Sequence, residues 1–267
     1  MNDMQRRTAD ALFCSNPEQK LVLVAMLEAP ETAGDWCAVS PVRRAGIPDR
    51  PELVAPKALP RRRNLHSREG RFALLHALAH IEFNAINLAL DAAYGFAGLP
   101  VEYYADWIRI AQEEAFHFGL LRNLLQNLGG DYGDLPAHGG LWEMAEKTMG
   151  DVLVRMAMVP RLLEARGLDV TPGIRARLAG AGDRDAVAVL ERIEADEVGH
   201  VATGSHWFRT ICAQRNLDPD AAFLSLLEKH YRGRTAGPLA REQRLKAGFS
   251  PAELEFLESR LDGREGA

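Results

Sequence analysis

The chain has 267 residues, 47% of them apolar, and a formal charge of -5 at neutral pH. That is ample material for a sizeable core, and no global attraction to nucleic acid or an anionic membrane is expected from it. The longest apolar stretches fall short of a membrane span, and Cys14, Cys37 and Cys212 form neither a close pair nor a CxxC, so a soluble, cytoplasmic protein without a disulfide framework or thiolate zinc site is expected.

The opening MNDMQRRTADALF lacks the sustained apolar segment of a secretory signal. Residues 17–29 are predicted to form a helix, with Asn16 as N-cap and Pro17 at the first position, where a missing N–H costs nothing. Residues 30–64 hold Pro30, Pro41, Pro48, Pro51, Pro56 and Pro60. They read as an extended arm that must pack on something else. Its run Arg61-Arg62-Arg63 has the chemistry for a phosphate contact, but a solvated charge cluster is the plainer expectation.

From Ser67 the pattern turns strongly helical. One helix is predicted over 67–97 and another over 101–128, separated by Gly98-Leu99-Pro100 and closed by Gly129-Gly130, which makes an antiparallel hairpin. After a glycine-rich connection at 129–140, a third helix starts near Leu141, is interrupted by GLDVTPG at 167–173 and continues to about 179. A fourth runs from Asp183 to about Asn216, and smaller helices follow near 219–231 and 251–262, the last opened by Ser250-Pro251-Ala252-Glu253. The expectation is an all-α chain in one structural domain. Residues 1–66 form a helix and Pro-rich arm, 67–216 a four-helix bundle, and 217–267 accessory helices.

Within that pattern one spacing occurs twice: Glu114-Ala115-Phe116-His117 and Glu197-Val198-Gly199-His200. Each is preceded by a glutamate in an apolar helical stretch, Glu82 being 32 residues before Glu114 and Glu164 being 33 before Glu197. Residues three apart share a helix face, so each Glu and His project together. Positions three, four and seven away from Glu82 are Leu75, Leu78, Ala79, Ala85, Ile86 and Ala89, and Glu114 and Glu197 have similarly apolar neighbours. These carboxylates therefore face a core, where an ionised group is costly unless it is paired, protonated or bound to a cation. Four carboxylates and two neutral imidazoles sum to -4, which two divalent ions cancel.

Hairpin register supports the grouping. Glu82 and Glu114 each lie roughly 23–25 Å from the turn at Leu99 along their helices. Glu164 and Glu197 mirror each other about residues 180–181 in the same way, provided the third helix continues, bent, through 167–173. A Glu from each of two helices and Glu-x-x-His from each of two others is a dinuclear carboxylate arrangement. Mixed carboxylate and imidazole donors without cysteine suit iron or manganese, iron being preferred for oxygen chemistry.

Glu113 and Asp196, which precede the two motifs, are candidates to accept the free ring N–H of a histidine on a neighbouring helix, with an exposed helix charge as the alternative. Glu194, one turn before Glu197, is a candidate for an additional ligand, a proton carrier or a buried partner of a base such as Arg161. His76 and His80 point elsewhere than Glu82 and are expected in surface or supporting roles. Tyr103, Tyr104, Trp107 and Trp207 are expected to pack the core rather than carry electrons, and His206 to be structural.

Four stretches, SREGRFALLHALAHIEFNAINLALDA (67–92), WIRIAQEEAFHFGLL (107–121), VPRLLEARGLDVTPG (159–173) and IEADEVGHVATGSHWF (193–208), carry a resemblance. The chain resembles the ferritin-like superfamily and, more closely, the bacterial family catalogued as domain of unknown function 455, over most of its length. The resemblance implies a ferritin-like fold with a di-iron or related site at Glu82, Glu114, His117, Glu164, Glu197 and His200. It supplies no substrate.

Three functions are open at this point. The first is a di-iron, Fe/Mn or other divalent-metal oxidoreductase that uses O2 to hydroxylate a small molecule or a tRNA. It would need an external reductase, since no GxGxxG fingerprint is present. The second is a ferroxidase or iron store, and the third a binding protein that keeps its metals for stability. The flanking 60 or so residues before the bundle and 50 after it look suited to covering a pocket or building a homodimer contact, which favours the first over storage.

Overall fold

The computed structural model describes residues 1–32, 36–59, 64–231 and 238–260. Arg61-Arg62-Arg63 and the end of the helix expected over 251–262 lie outside the described residues. Those described are all-α, with one isolated bridge between Leu53 and Ala137. They group into two compact units, Met1–Gly150 with Arg177–Val189, and Asp151–Ala176 with Leu190–Ala267.

The first unit opens with α1 (Asp3–Phe13), a helix unforeseen in the sequence because its N-terminal half is polar. Asn2 caps it by accepting from the Gln5 N–H, and it buries Thr8, Ala11 and Leu12 along one side. Helix α2 (Pro17–Ala25) has the expected Asn16 cap and Pro17 start but ends sooner than residue 29. Helix α3 (Arg68–Gly95) starts at the Ser67 cap, and α4 (Val101–Asn127) runs back beside it. The end of α4 follows from backbone hydrogen bonding. Gly129 takes a positive φ of 76°, its N–H reaches the Gln126 carbonyl and that of Gly130 reaches Leu125, so the last carbonyls are satisfied and the chain turns away. Asn216 ends α8 (Arg184–Gln214) in the same manner, with φ 54°.

Helix α3 has a window of mean hydropathy 1.3, long and apolar enough by composition to cross a membrane, contrary to the shorter runs read from the sequence. Of that window, 83% is buried inside the protein, as the central helix of a core would be. Phe83 of α3 meets Phe118 of α4 edge to face at 5.3 Å, which fixes the hairpin register near the level expected. Buried Lys20 of α2 ties the N-terminal helices to this pair. Its Nζ donates to the carbonyls of Ala11 (2.7 Å) and Leu12 (3.0 Å) and to Asn87 Oδ1 (2.8 Å). Among its described residues the Pro-rich arm has little regular structure beyond the turn Pro56–Ala58. Trp36 anchors it by stacking on Tyr104 at 4.1 Å and donating to the Ala93 carbonyl. Helix α5 (Gly140–Thr148) also packs on α3.

The second unit departs most from the sequence reading. Instead of one helix from Leu141 broken at 167–173, α5 ends at Thr148 and a new run starts after Asp151, as α6 (Val152–Met158), a π-helical segment (Val159–Glu164) and α7 (Ala165–Gly180). Helix α7 passes through GLDVTPG with Pro172 inside it. Tertiary anchoring overrides the local breakers: Leu168 and Leu178 are buried, and Asp169 is held by Arg244 Nη2 at 2.7 Å. The irregularity lies earlier, where Pro160 has no N–H to continue the α pattern, and it ends on Glu164. Helix α8 is followed by α9 (Pro219–His230), α10 (Arg241–Lys246), which the sequence reading passed over, and α11 (Pro251–Ser259), whose Ser250–Glu253 capping box is as predicted.

Candidate metal centre

In the first unit α3 brings Glu82, and α4 brings Glu114 and His117, together in a buried position. His117 is fully buried, with Nδ1 3.4 Å from Glu82 Oε2 and 3.5 Å from Glu114 Oε2. Donor atoms of the three residues lie within 4.8 Å of one another. Burial alone would lower the pKa of the imidazole. The Glu114 and Glu82 carboxylates outweigh burial and push it up to about 11. A proton thus sits where two buried carboxylates demand positive charge, and a divalent cation would satisfy the same demand more fully. Two carboxylates and an imidazole, with no thiolate, form a donor set that could hold a metal ion.

The second unit repeats the local geometry. His200 is fully buried, and its Nδ1 lies 3.6 Å from Glu197 Oε1, one turn earlier on α8. Glu164, half-buried at the end of the π-helical segment, belongs to the same unit. Among the described residues it enters no three-donor group as close as that of Glu82, Glu114 and His117.

Glu194 faces Arg175 at 3.4 Å. The suggested partnership with Arg161 does not form, because Arg161 pairs with Glu253 at 2.7 Å, a residue too distant in sequence for helical spacing to indicate. Glu113 accepts two hydrogen bonds of 2.9 Å from Arg109, and Asp196 accepts one of 2.7 Å from Arg192, each from one turn earlier. Tyr103, Tyr104, Trp107 and Trp207 are buried aromatics, as expected, and His206 is exposed.

His76 and His80 are core residues and not surface ones. His76 Nε2 accepts from the N–H groups of Gly133 and Leu135, and His80 meets the Tyr132 hydroxyl at 2.9 Å and the His138 carbonyl at 3.2 Å. Burial depresses His80 to about 4. Together they hold the 129–140 connection against α3, with Tyr132 packed on Phe83 and Phe118, the residues that follow Glu82 and His117. Sequence reasoning missed Tyr132 and Lys20. A lone tyrosine in a glycine-rich loop and a lysine in a short helix carry no local sign of burial.

The family model for "Protein of unknown function (DUF455)" matches residues 13–255. An "Uncharacterized protein" of Haemophilus influenzae is 46% identical over 220 residues, which cover 80% of this chain and 76% of that relative. No solved structure matches the chain. With the match running from the α1 end to α11 and so including both Glu-x-x-His motifs, the chain belongs to the DUF455 family.

Proposed function

We propose that the protein is a non-haem dinuclear carboxylate oxidoreductase of ferritin-like architecture, with two iron ions held by Glu82, Glu114, His117, Glu164, Glu197 and His200. The observation that carries this reading is the convergence of Glu82, Glu114 and His117 in a buried position, together with the same imidazole–carboxylate geometry at His200 and Glu197. Isolated buried carboxylates are hard to keep without a cation, and a chain that repeats this pattern, with a buried histidine in each copy, has the donor chemistry for two.

Iron bound there would supply O2 activation, in which one oxygen atom would enter an organic substrate and the other would leave as water, with two electrons from an external reductase and two protons from solvent. The protein's own residues do the rest. On cation entry His117 and His200 would give up the proton on the coordinating nitrogen, and the Glu82 and Glu114 carboxylates would neutralise the charge of the ion. Phe83, Phe118 and Tyr132 pack beside the first half and keep it dry. Glu194, half-buried and 3.4 Å from Arg175, would be the group that moves a proton at its carboxylate.

Metal analysis of protein purified without added metal, followed by anaerobic Fe(II) titration, tests the proposal. Two ions per chain are expected, and Glu114→Ala and His200→Ala should each lose metal. Binding that never exceeds one ion, or variants with unchanged metal content, would refute it. Iron oxidised by O2 in a large closed shell, with no organic product from a metabolite and tRNA screen, would identify a ferroxidase instead.

A further inference from the structure

The π-helical segment ending on Glu164 is held by a cluster that the metal reading leaves unused. Arg161, in the middle of that segment, has no exposed surface. Its Nη2 donates to Glu253 Oε2 of α11 at 2.7 Å and its Nε to Ser205 Oγ of α8 at 3.1 Å. The guanidinium carbon lies 4.3–4.6 Å from the ring centres of Phe208, Phe223 and Phe249, a cage of three aromatic faces around one cation. Glu253 Oε2 also accepts from the Ser250 N–H in the α11 capping box, so the start of that helix and the π-helical segment share one buried carboxylate.

A second contact presses on the same turn. Pro160 packs against Gly204 of α8 so closely that a Cβ on Gly204 would lie 2.4 Å from the proline Cβ and 2.5 Å from its Cγ. Only glycine fits there. The turn is thus fixed to α8 at two successive residues, Gly204 and Ser205, and α8 is also the helix that carries Glu197 and His200.

The consequence is geometric. A π-helical turn contains one residue more than an α turn, and one residue corresponds to about 100° of rotation. If the segment relaxed to α-helical pairing, Glu164 would swing by about that angle relative to α6. We infer that Arg161, clamped by Glu253, Ser205 and the aromatic cage, is a positioning residue that keeps the wide turn and thereby aims the Glu164 carboxylate toward the face of α8 that carries Glu197 and His200. The inference rests on the reading of Glu164 as a ligand.

The test uses Co(II) as the probe in the full chain, with the visible ligand-field spectrum, binding stoichiometry and helical circular dichroism as readouts. Glu164→Gln comes first, and a weakened second Co(II) with an altered spectrum identifies Glu164 as a ligand. Arg161→Lys keeps the charge but loses the planar fork, Glu253→Gln keeps the capping oxygen but loses the charge, and Gly204→Ala pushes Pro160 away without touching the ion pair. Each should keep wild-type helicity, weaken the second Co(II) by about tenfold or more and shift its spectrum as Glu164→Gln does, while the first Co(II) binds as in wild type.

If Glu164→Gln perturbs the second ion and the three folded variants do not, the positioning role is wrong and the metal reading stands. If Glu164→Gln changes nothing, the ligand assignment itself fails and takes the inference with it. Loss of helicity in all three would make the clamp a folding element with no separate effect on the site, which would also overturn the inference.

Discussion

Protonation of His80 should unlatch the 129–140 connection from α3, and its magnitude follows from the burial of the ring. The neutral imidazole with its proton on Nε2 donates to the His138 carbonyl and accepts at Nδ1 from the Tyr132 hydroxyl, whose own pKa is raised by burial so that it stays a donor. Burial holds the folded-state pKa near 4, against 6.5 for a free imidazole. Between these two values the unfolded chain binds the proton that the folded chain refuses, so stability rises with pH across this window and is lost as pH falls from 6.5 toward 4. A shift of this size amounts to about 3 kcal/mol. Urea unfolding of wild type and His80→Gln from pH 7.5 to pH 4 measures it: the wild-type curve should fall more steeply by about that amount, and the His80 ring resonance should titrate near 4. Parallel curves, or a ring titrating near 6.5, would refute the reasoning.

Three further outcomes are expected. Because Glu114 and Glu82 keep His117 protonated up to about 11, Co(II) uptake should release a proton from this ring, and the apparent affinity should rise about tenfold per pH unit from pH 6 to 8. Calorimetry in buffers of different ionisation heats checks this, with His117→Ala as the control that loses the response. Trp36→Ala should cost about 3–5 kcal/mol in denaturant unfolding, since it removes a stacked and hydrogen-bonded anchor of the arm. A loss under 1 kcal/mol would mean the arm is not packed as described. Lys20→Met should cost about 1–3 kcal/mol by leaving buried acceptors on α1 and Asn87 without their donor. Unchanged unfolding would show that the buried ammonium contributes nothing.

Much of this protein was legible in its sequence because the relevant physics is local. Helical periodicity and glycine or proline punctuation placed α3 and α4 to within two residues, since caps such as Ser67 and the Gly129-Gly130 stop act within one turn. The three-residue spacing put Glu114 with His117 and Glu197 with His200 on shared helix faces, because helix geometry alone decides that. Hairpin symmetry then brought Glu82 to His117.

What only the tertiary structure decided depends on contacts distant in sequence. The course of the chain after Asp151 was misread because GLDVTPG looks like a break locally, whereas Leu168, Leu178 and the Asp169–Arg244 pair hold it helical. The wide turn settles instead where Pro160 meets Gly204 and Arg161 meets Glu253, 92 residues away. Burial of His76, His80 and Lys20 depends likewise on acceptors and donors supplied by other segments. Local spacing fixes which residues share a helix face; which helix that face meets, and how a turn deforms to aim a side chain there, is set by packing between residues that the sequence keeps far apart.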